Sequence, residues 1–236
     1  MIPLKDTQET KTFPFLTILI ILLNVLVYIW MDMIIGSAPD QAAAQASLYF
    51  RYGIVPFEIT TGKQISGYPS ISPLWLSIFT SMFVHGGFMH IAGNMLYFWI
   101  FGNNIEDYLG HFKFLLFYLA SGVAAAAVQI FTSPNSTVPV IGASGAIAGI
   151  MGAYFFLYPR ARIKTLVFVL FFFTFIQIPA YIFLLIWFLM QLSSGFSTFG
   201  SASGVAFWAH VGGFIFGFIV AVLTKSLRHE PEEYWN

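Results

Sequence analysis

Apolar residues in this chain come in long unbroken runs rather than in the stripes that mark a helix lying on a water-facing core. A transmembrane helix needs roughly 17 to 25 mainly apolar residues. Five runs meet that length: Phe13–Ile35, Phe114–Thr132, Gly142–Pro159, Leu166–Leu192 and Val205–Leu223. A sixth lies within Leu74–Gly102, which is too long for one upright span and is interrupted at Gly86–Gly87. Splitting it there predicts an interfacial segment, Leu74–Val84, followed by a crossing helix, Phe88–Gly102. The pattern therefore predicts an all-α membrane protein, a single domain over residues 1–236 with six transmembrane helices. A long first loop, Gly36–Gly87, joins spans 1 and 2. Short tails are expected at about 1–12 and 225–236.

Composition agrees, with 58% hydrophobic and only 8% charged residues, against about 25% charged in a soluble domain. Ten basic and ten acidic residues cancel, so nothing in the charge points to nucleic acid, and the lipid bilayer is the partner the composition implies. With no cysteine, thiol catalysis, disulfides and thiolate metal sites drop out. The basic residues are unevenly placed along the predicted topology. Lys5, Lys11, Lys113, Arg160, Arg162, Lys164, Lys225 and Arg228 fall on one side, and only Arg51 and Lys63 on the other. The positive-inside rule then puts both termini in the cytoplasm.

Polar groups inside a bilayer are expensive and mark functional positions. In this topology spans 2, 4 and 6 run in the same direction. They carry His90 and Asn94, Ser144, and His210 near their outer ends, with His85 just ahead of the Gly86–Gly87 break. Each has a plain structural reading as well. Ser144 sits in Gly142-Ala143-Ser144-Gly145, a small-residue run suited to close helix packing. His210 fits a histidine satisfied by a carbonyl, and His90 and Asn94 fit interhelical glue on one helical face. Asn24 and Gln177 read as glue or as packing near a Pro179 kink.

Read together, the residues suit acyl transfer. A serine needs a base within reach, and Gly145, Gly149 and Gly152 on span 4 with Gly213 and Gly217 on span 6 would let Ser144 and His210 meet. No intramembrane carboxylate is available to orient the imidazole, so a dyad with His210 held by packing is expected. Asn94, His90 and the Ser144 amide could donate to an oxyanion.

With these residues in place, the sequence resembles the rhomboid family of intramembrane serine proteases. The matching features are His85-x4-His90-x3-Asn94 entering span 2, Gly142-x-Ser144-Gly145 opening span 4, and His210-x2-Gly213-x3-Gly217 in span 6, with Glu106 after span 2. The resemblance implies a Ser144–His210 dyad and an oxyanion site from Asn94, His90 and the Ser144 amide. His85, Gly142, Gly145, Gly213, Gly217 and Glu106 would be supporting residues. It further implies single-span membrane proteins as substrates, cut near the outer end of their helix, and no cofactor; the compact chain leads to the expectation of a prokaryotic plasma membrane as the setting. By the same resemblance the long first loop would lie partly in the membrane, and span 5 with the loop at about Ser193–Gly204 would form a gate or cap. Many bacterial members carry an aromatic four positions after the serine, where this chain has Ala148, so Trp208 or a span 5 aromatic is the expected substitute. Two rival readings remain open from the sequence. One is a client-binding relative that does not cut, although such relatives usually lack the serine or the histidine. The other is a haem or metal protein using His85, His90 and His210, for which no acidic or thiol ligand is at hand.

Overall fold

The computed structural model describes residues 2–169, 172–198 and 205–227. In chain order its elements begin with strand β1 (Ile2–Asp6) and helices α1 (Phe15–Ser37), α2 (Gln41–Tyr52) and α3 (Pro56–Thr61). A short helix α4 (Ser77–Thr80) follows, with a 3-10 turn on either side. Then come α5 (Phe88–Leu109), α6 (His111–Thr132), α7 (Ser144–Leu157), β2 (Arg162–Val169), β3 (Phe172–Pro179), α8 (Ala180–Ser197) and α9 (Phe207–Leu227). The expected segments at 199–204 and 228–236 lie outside the described residues.

The molecule is a multi-pass helical membrane bundle. Among the described residues, four helices are long and apolar enough to cross alone: Phe15–Ser37, His111–Thr132, Ala180–Ser197 and Phe207–Ser226. The apolar stretch around Gly86–Gly87 is divided as expected, Leu74–Phe83 meeting Phe88–Leu109 at 83°. Helix α7 has only 14 residues, about 21 Å at 1.5 Å per residue, which is shorter than the ~30 Å hydrocarbon core.

One expectation is corrected. The run Leu166–Leu192 is not one helix. Its first half forms the antiparallel β2–β3 hairpin, with Arg162 opposite Pro179 and Val169 opposite Phe172, and the helix starts only at Ala180. Val167, Phe168, Phe172, Phe173, Phe175 and Ile176 are β-branched or aromatic residues that favour strands, and length alone misread them as a span. Pro179 is accordingly the residue before α8 rather than a kink within it, and Gln177 pairs with Lys164 in the sheet. The expected N-terminal tail carries a strand: β1 pairs antiparallel with β2, Ile2 opposite Leu166 and Asp6 opposite Ile163.

Helix α7 is the hub. It is apolar all round and buried on nearly every side, as expected of a helix enclosed by others. Its most extensive neighbour is α9, approached through glycines. A Cβ built on Gly213 would overlap the Gly145 carbonyl, one on Gly217 the Gly149 carbonyl, and one on Gly152 the Phe214 carbonyl. Backbone therefore packs on backbone, the small-residue mode of membrane helices.

Three carboxylates, the buried Glu106 and the half-buried Asp107 and Asp6, pin the opposite end of the bundle. Helix α1 has no side-chain cap of its own, and Glu106 at the end of α5 supplies one. Its carboxylate accepts from the Leu16 and Thr17 amides at 2.8 and 2.7 Å and from the Thr17 hydroxyl at 2.7 Å. His111 Nδ1 lies 2.6 Å away. These are the orphan amides of a helix start, where negative charge is favoured. Asp107 accepts from the Thr12 amide at 2.8 Å. Asp6 accepts from the Tyr154 hydroxyl on α7 and, at 2.8 Å, from Asn104 Nδ2 on α5.

Replacing Gly217 with Val should be among the most damaging single changes, costing more than about 3 kcal/mol because backbone cannot yield as a side chain can. Loss of folded protein and a lowered thermal midpoint in detergent are the expected outcome. A pH effect follows from Asp6, whose carboxyl burial pushes up from 3.8 to about 6. The folded state then holds the proton more tightly than the unfolded chain. The stability this gives is complete below pH 3.8 and is lost as pH rises through about 6. The partly buried carboxyl makes this about 1–2 kcal/mol, and Asp6→Asn should flatten that slope in thermal unfolding between pH 4 and 7.

Candidate active site

Three short helix beginnings converge around one cavity. Ser144 is the first residue of α7, His210 lies in the first turn of α9, and His90 and Asn94 lie in the first two turns of α5. The glycine-mediated approach of α7 and α9 brings His210 Nε2 to 2.7 Å from Ser144 Oγ. The cavity beside them has a volume of about 320 Å³ and is lined by His90, Asn94, Tyr97, Ser144, Trp187 and His210 among others.

The chain around Ser144 is shaped by Gly142, whose φ of +119° favours glycine. A Cβ there would lie 2.7 Å from His90 Nε2 and 3.6 Å from Ser144 Oγ, so Gly142 sits between the two side chains and must have none. Its amide donates to the Ser81 carbonyl at 2.9 Å, tying the approach to α7 onto the broken segment before α5. His85 Nε2 accepts from the Ala143 amide at 3.5 Å. The spacing of five positions from His85 to His90 suggests different faces of one helix. The Gly86–Gly87 break instead takes His85 out of the helix, and the two rings meet edge-on with centroids 5.0 Å apart.

The hydrogen-bond partners fix which histidine nitrogens can donate. The Gly86 amide donates to His90 Nδ1 at 3.2 Å, so the neutral ring carries its proton on Nε2, the nitrogen beside Gly142. The Asn94 side chain is buried at 8% exposure, and its Nδ2 has no hydrogen-bond partner. Buried donors are normally paired, so this amide is left free to donate to something entering the site. The first amides of α7 are free by helix geometry.

Sequence reasoning expected His210 to be held by packing alone, whereas the structure adds polar and aromatic partners. His210 Nδ1 is 2.8 Å from Gln191 Oε1 on α8. One turn earlier on α8, Trp187 packs on the imidazole with centroids 5.8 Å apart, and Phe207 meets it edge-on at 6.5 Å. A span 5 aromatic thus takes the place beside the histidine, while Trp208 packs against Phe196 instead. The reason lies at Ala148, fully buried and facing Gly213 across the α7–α9 contact, where an aromatic ring has no room. Gln191 went unnoticed in the sequence, and Trp187 was anticipated only as an unspecified span 5 aromatic, because both sit in an apolar run whose helical register was misplaced by the hairpin. Gln129 on α6 was also missed. Its Oε1 accepts from the Ala209 amide at 3.2 Å and so holds the start of α9. Gly145 packs on α6, its Cβ position 2.7 Å from that of Ala125, and Glu106 belongs to the α1 anchor at the other end of α5.

A Rhomboid domain model matches residues 73–226, from the broken segment before α5 to the end of α9. Among known proteins, the mitochondrial Rhomboid protein 1 of Saccharomyces cerevisiae is 34% identical over 97 residues, 39% of this chain and 28% of that protein. The chloroplastic Rhomboid-like protein 11 of Arabidopsis thaliana is 37% identical over 78 residues, 33% of this chain and 28% of that one. The rhomboid protease GluP of Bacillus subtilis is 39% identical over 79 residues, 34% of this chain and 15% of GluP. The matches thus span less than a third of each of these relatives. The matched region takes in every helix that lines the cavity, and a family model covering well over half of the 236 residues makes this chain a member of the rhomboid family.

Proposed function

We propose that the protein is an intramembrane serine endopeptidase in which Ser144 is the nucleophile and His210 its base. The observation that carries this reading is the 2.7 Å contact between His210 Nε2 and Ser144 Oγ at the edge of a cavity. That is hydrogen-bond reach for proton transfer. Ser144 Oγ attacks the scissile carbonyl carbon as its proton passes to His210 Nε2. The same proton then goes to the departing amine as the C–N bond breaks. Water, activated in turn by His210, releases the acyl fragment and regenerates the serine.

The negative charge on the tetrahedral intermediate would be met by Asn94 Nδ2, His90 Nε2 and the Ser144 amide. The unpartnered Asn94 amide and the proton placed on His90 Nε2 by Gly86 support that assignment. The substrates proposed are single-span membrane proteins, cut near the outer end of their helix. If the cytoplasmic end of the 14-residue α7 meets the membrane surface, its other end stops about 9 Å short of the far boundary. Ser144 would then lie below the surface yet be reached by water through the polar cavity. The clustering of basic residues proposes cytoplasmic termini in a plasma membrane.

Purified protein in detergent or liposomes should cleave a generic single-span reporter. Ser144→Ala and His210→Ala should each lower kcat by at least about a thousandfold. Undiminished cutting by Ser144→Ala would sink the mechanism. Asn94→Ala should lower kcat about 100- to 1,000-fold with little change in KM, as loss of an oxyanion donor does. A fluorophosphonate probe should label wild type and not Ser144→Ala.

A further inference from the structure

We infer that Gln191 is a positioning residue for the proposed reaction, fixing the tautomer and ring orientation of His210 from α8. The inference rests on the Ser144–His210 reading. Among the groups that face the His210 ring are Ser144 from α7, His90 across the cavity from α5, Trp187 and Gln191 from α8 and Phe207 from its own helix. Of these only Gln191 meets Nδ1, at 2.8 Å through its Oε1. An amide oxygen is an acceptor alone, so Nδ1 must carry the proton. Nε2 then presents its lone pair to the Ser144 hydroxyl 2.7 Å away. The other tautomer would turn the Nε2 proton toward Ser144 and leave no base.

In a serine triad a carboxylate performs this orienting task, whereas in this bundle a neutral amide does. A neutral acceptor suits the location, because a carboxylate in an apolar bundle would pay a heavy desolvation cost. It stabilises the imidazolium less than a carboxylate, so Gln191 acts mainly on geometry. Trp187, one helical turn before Gln191, lies against the ring face while Gln191 takes its edge. Both constraints on the base thus come from α8, and neither from the α7 position occupied by Ala148.

The test compares Gln191→Leu, which removes the acceptor, with Gln191→Glu, which keeps one and adds charge. The readouts are kcat and KM on the reporter, and the rate of fluorophosphonate labelling of Ser144 as a function of pH, each beside a thermal unfolding curve. Gln191→Leu should lower kcat and labelling rate by about 10- to 100-fold, as expected for stranding a buried donor, with KM changed less than about twofold. Gln191→Glu should label faster than Gln191→Leu. It should also move the acid limb of the labelling profile upward by about one pH unit, because a carboxylate favours the imidazolium. Labelling by Gln191→Leu within about twofold of wild type would overturn the inference. So would a Gln191→Glu profile with an unmoved acid limb, or equal losses in both variants that track lowered thermal midpoints. Failure of wild type to label at all would instead remove the Ser144–His210 reading beneath it.

Discussion

Helices surrounded by lipid gain little from burying leucine against leucine, since the lipid tails are as apolar as the core. What holds α7 to α9 is therefore proximity itself: glycine faces carbonyl at Gly213 and Gly145, at Gly217 and Gly149, and at Gly152 and Phe214. The rest of the architecture answers to that contact. It sets the separation of the two helix beginnings, hence the distance between Ser144 and His210. It also leaves Ala148 no room to become an aromatic, which moves the support of the histidine to another helix. A site that elsewhere in such chemistry relies on charge is in this bundle assembled first by the absence of side chains.

The two ends of the bundle work by different physics. At one end polar groups are few, enclosed and in part left without partners, as with Asn94 Nδ2. At the other, Glu106, Asp107 and Asp6 are engaged in fastening residues 6–17 to α5 and α7. Glu106 serves as the start-of-helix cap that α1 does not encode in its own first turn. Carboxylates tolerate burial there because amides and hydroxyls that would otherwise be orphaned converge on them.

Much of this was legible in the sequence. Ser144, His210, His90 and Asn94 stood out because polar residues in apolar runs are rare, and the glycines at 145, 149, 213 and 217 because their spacing puts them on single helix faces. The break at Gly86–Gly87 was legible for the same reason that it forms. The hairpin was not, because Leu166–Leu192 is predominantly apolar and a window of hydropathy has no means of telling a span from two apolar strands followed by a helix. That single misreading displaced the register of α8, hid Gln191 and left the span 5 aromatic beside His210 unspecified. Gln129, Asn104 and Asp6 were invisible for another reason: their roles depend on partners 80 to 148 residues away, which no local pattern encodes.

The hairpin also changes what kind of object α8 is. Its first residues are tied down, with the Ala180 amide on the Ala161 carbonyl at 2.7 Å and that of Tyr181 on the Pro159 carbonyl at 3.3 Å. Beyond them, Leu185, Ile186, Leu189 and Met190 are exposed to lipid. Mechanically this is a rod bonded at its start and resting on α9 further along, through Phe188 against Phe214 and Phe196 against Trp208. Gln191 lies about 16 Å along it from Ala180 at 1.5 Å per residue, so a swing of only about 5° carries its amide through about 1.4 Å. That is enough to take a 2.8 Å hydrogen bond beyond useful length. The lever arm makes the imidazole a sensitive reporter of the angle of a helix whose pivot is anchored at the far side of the bundle.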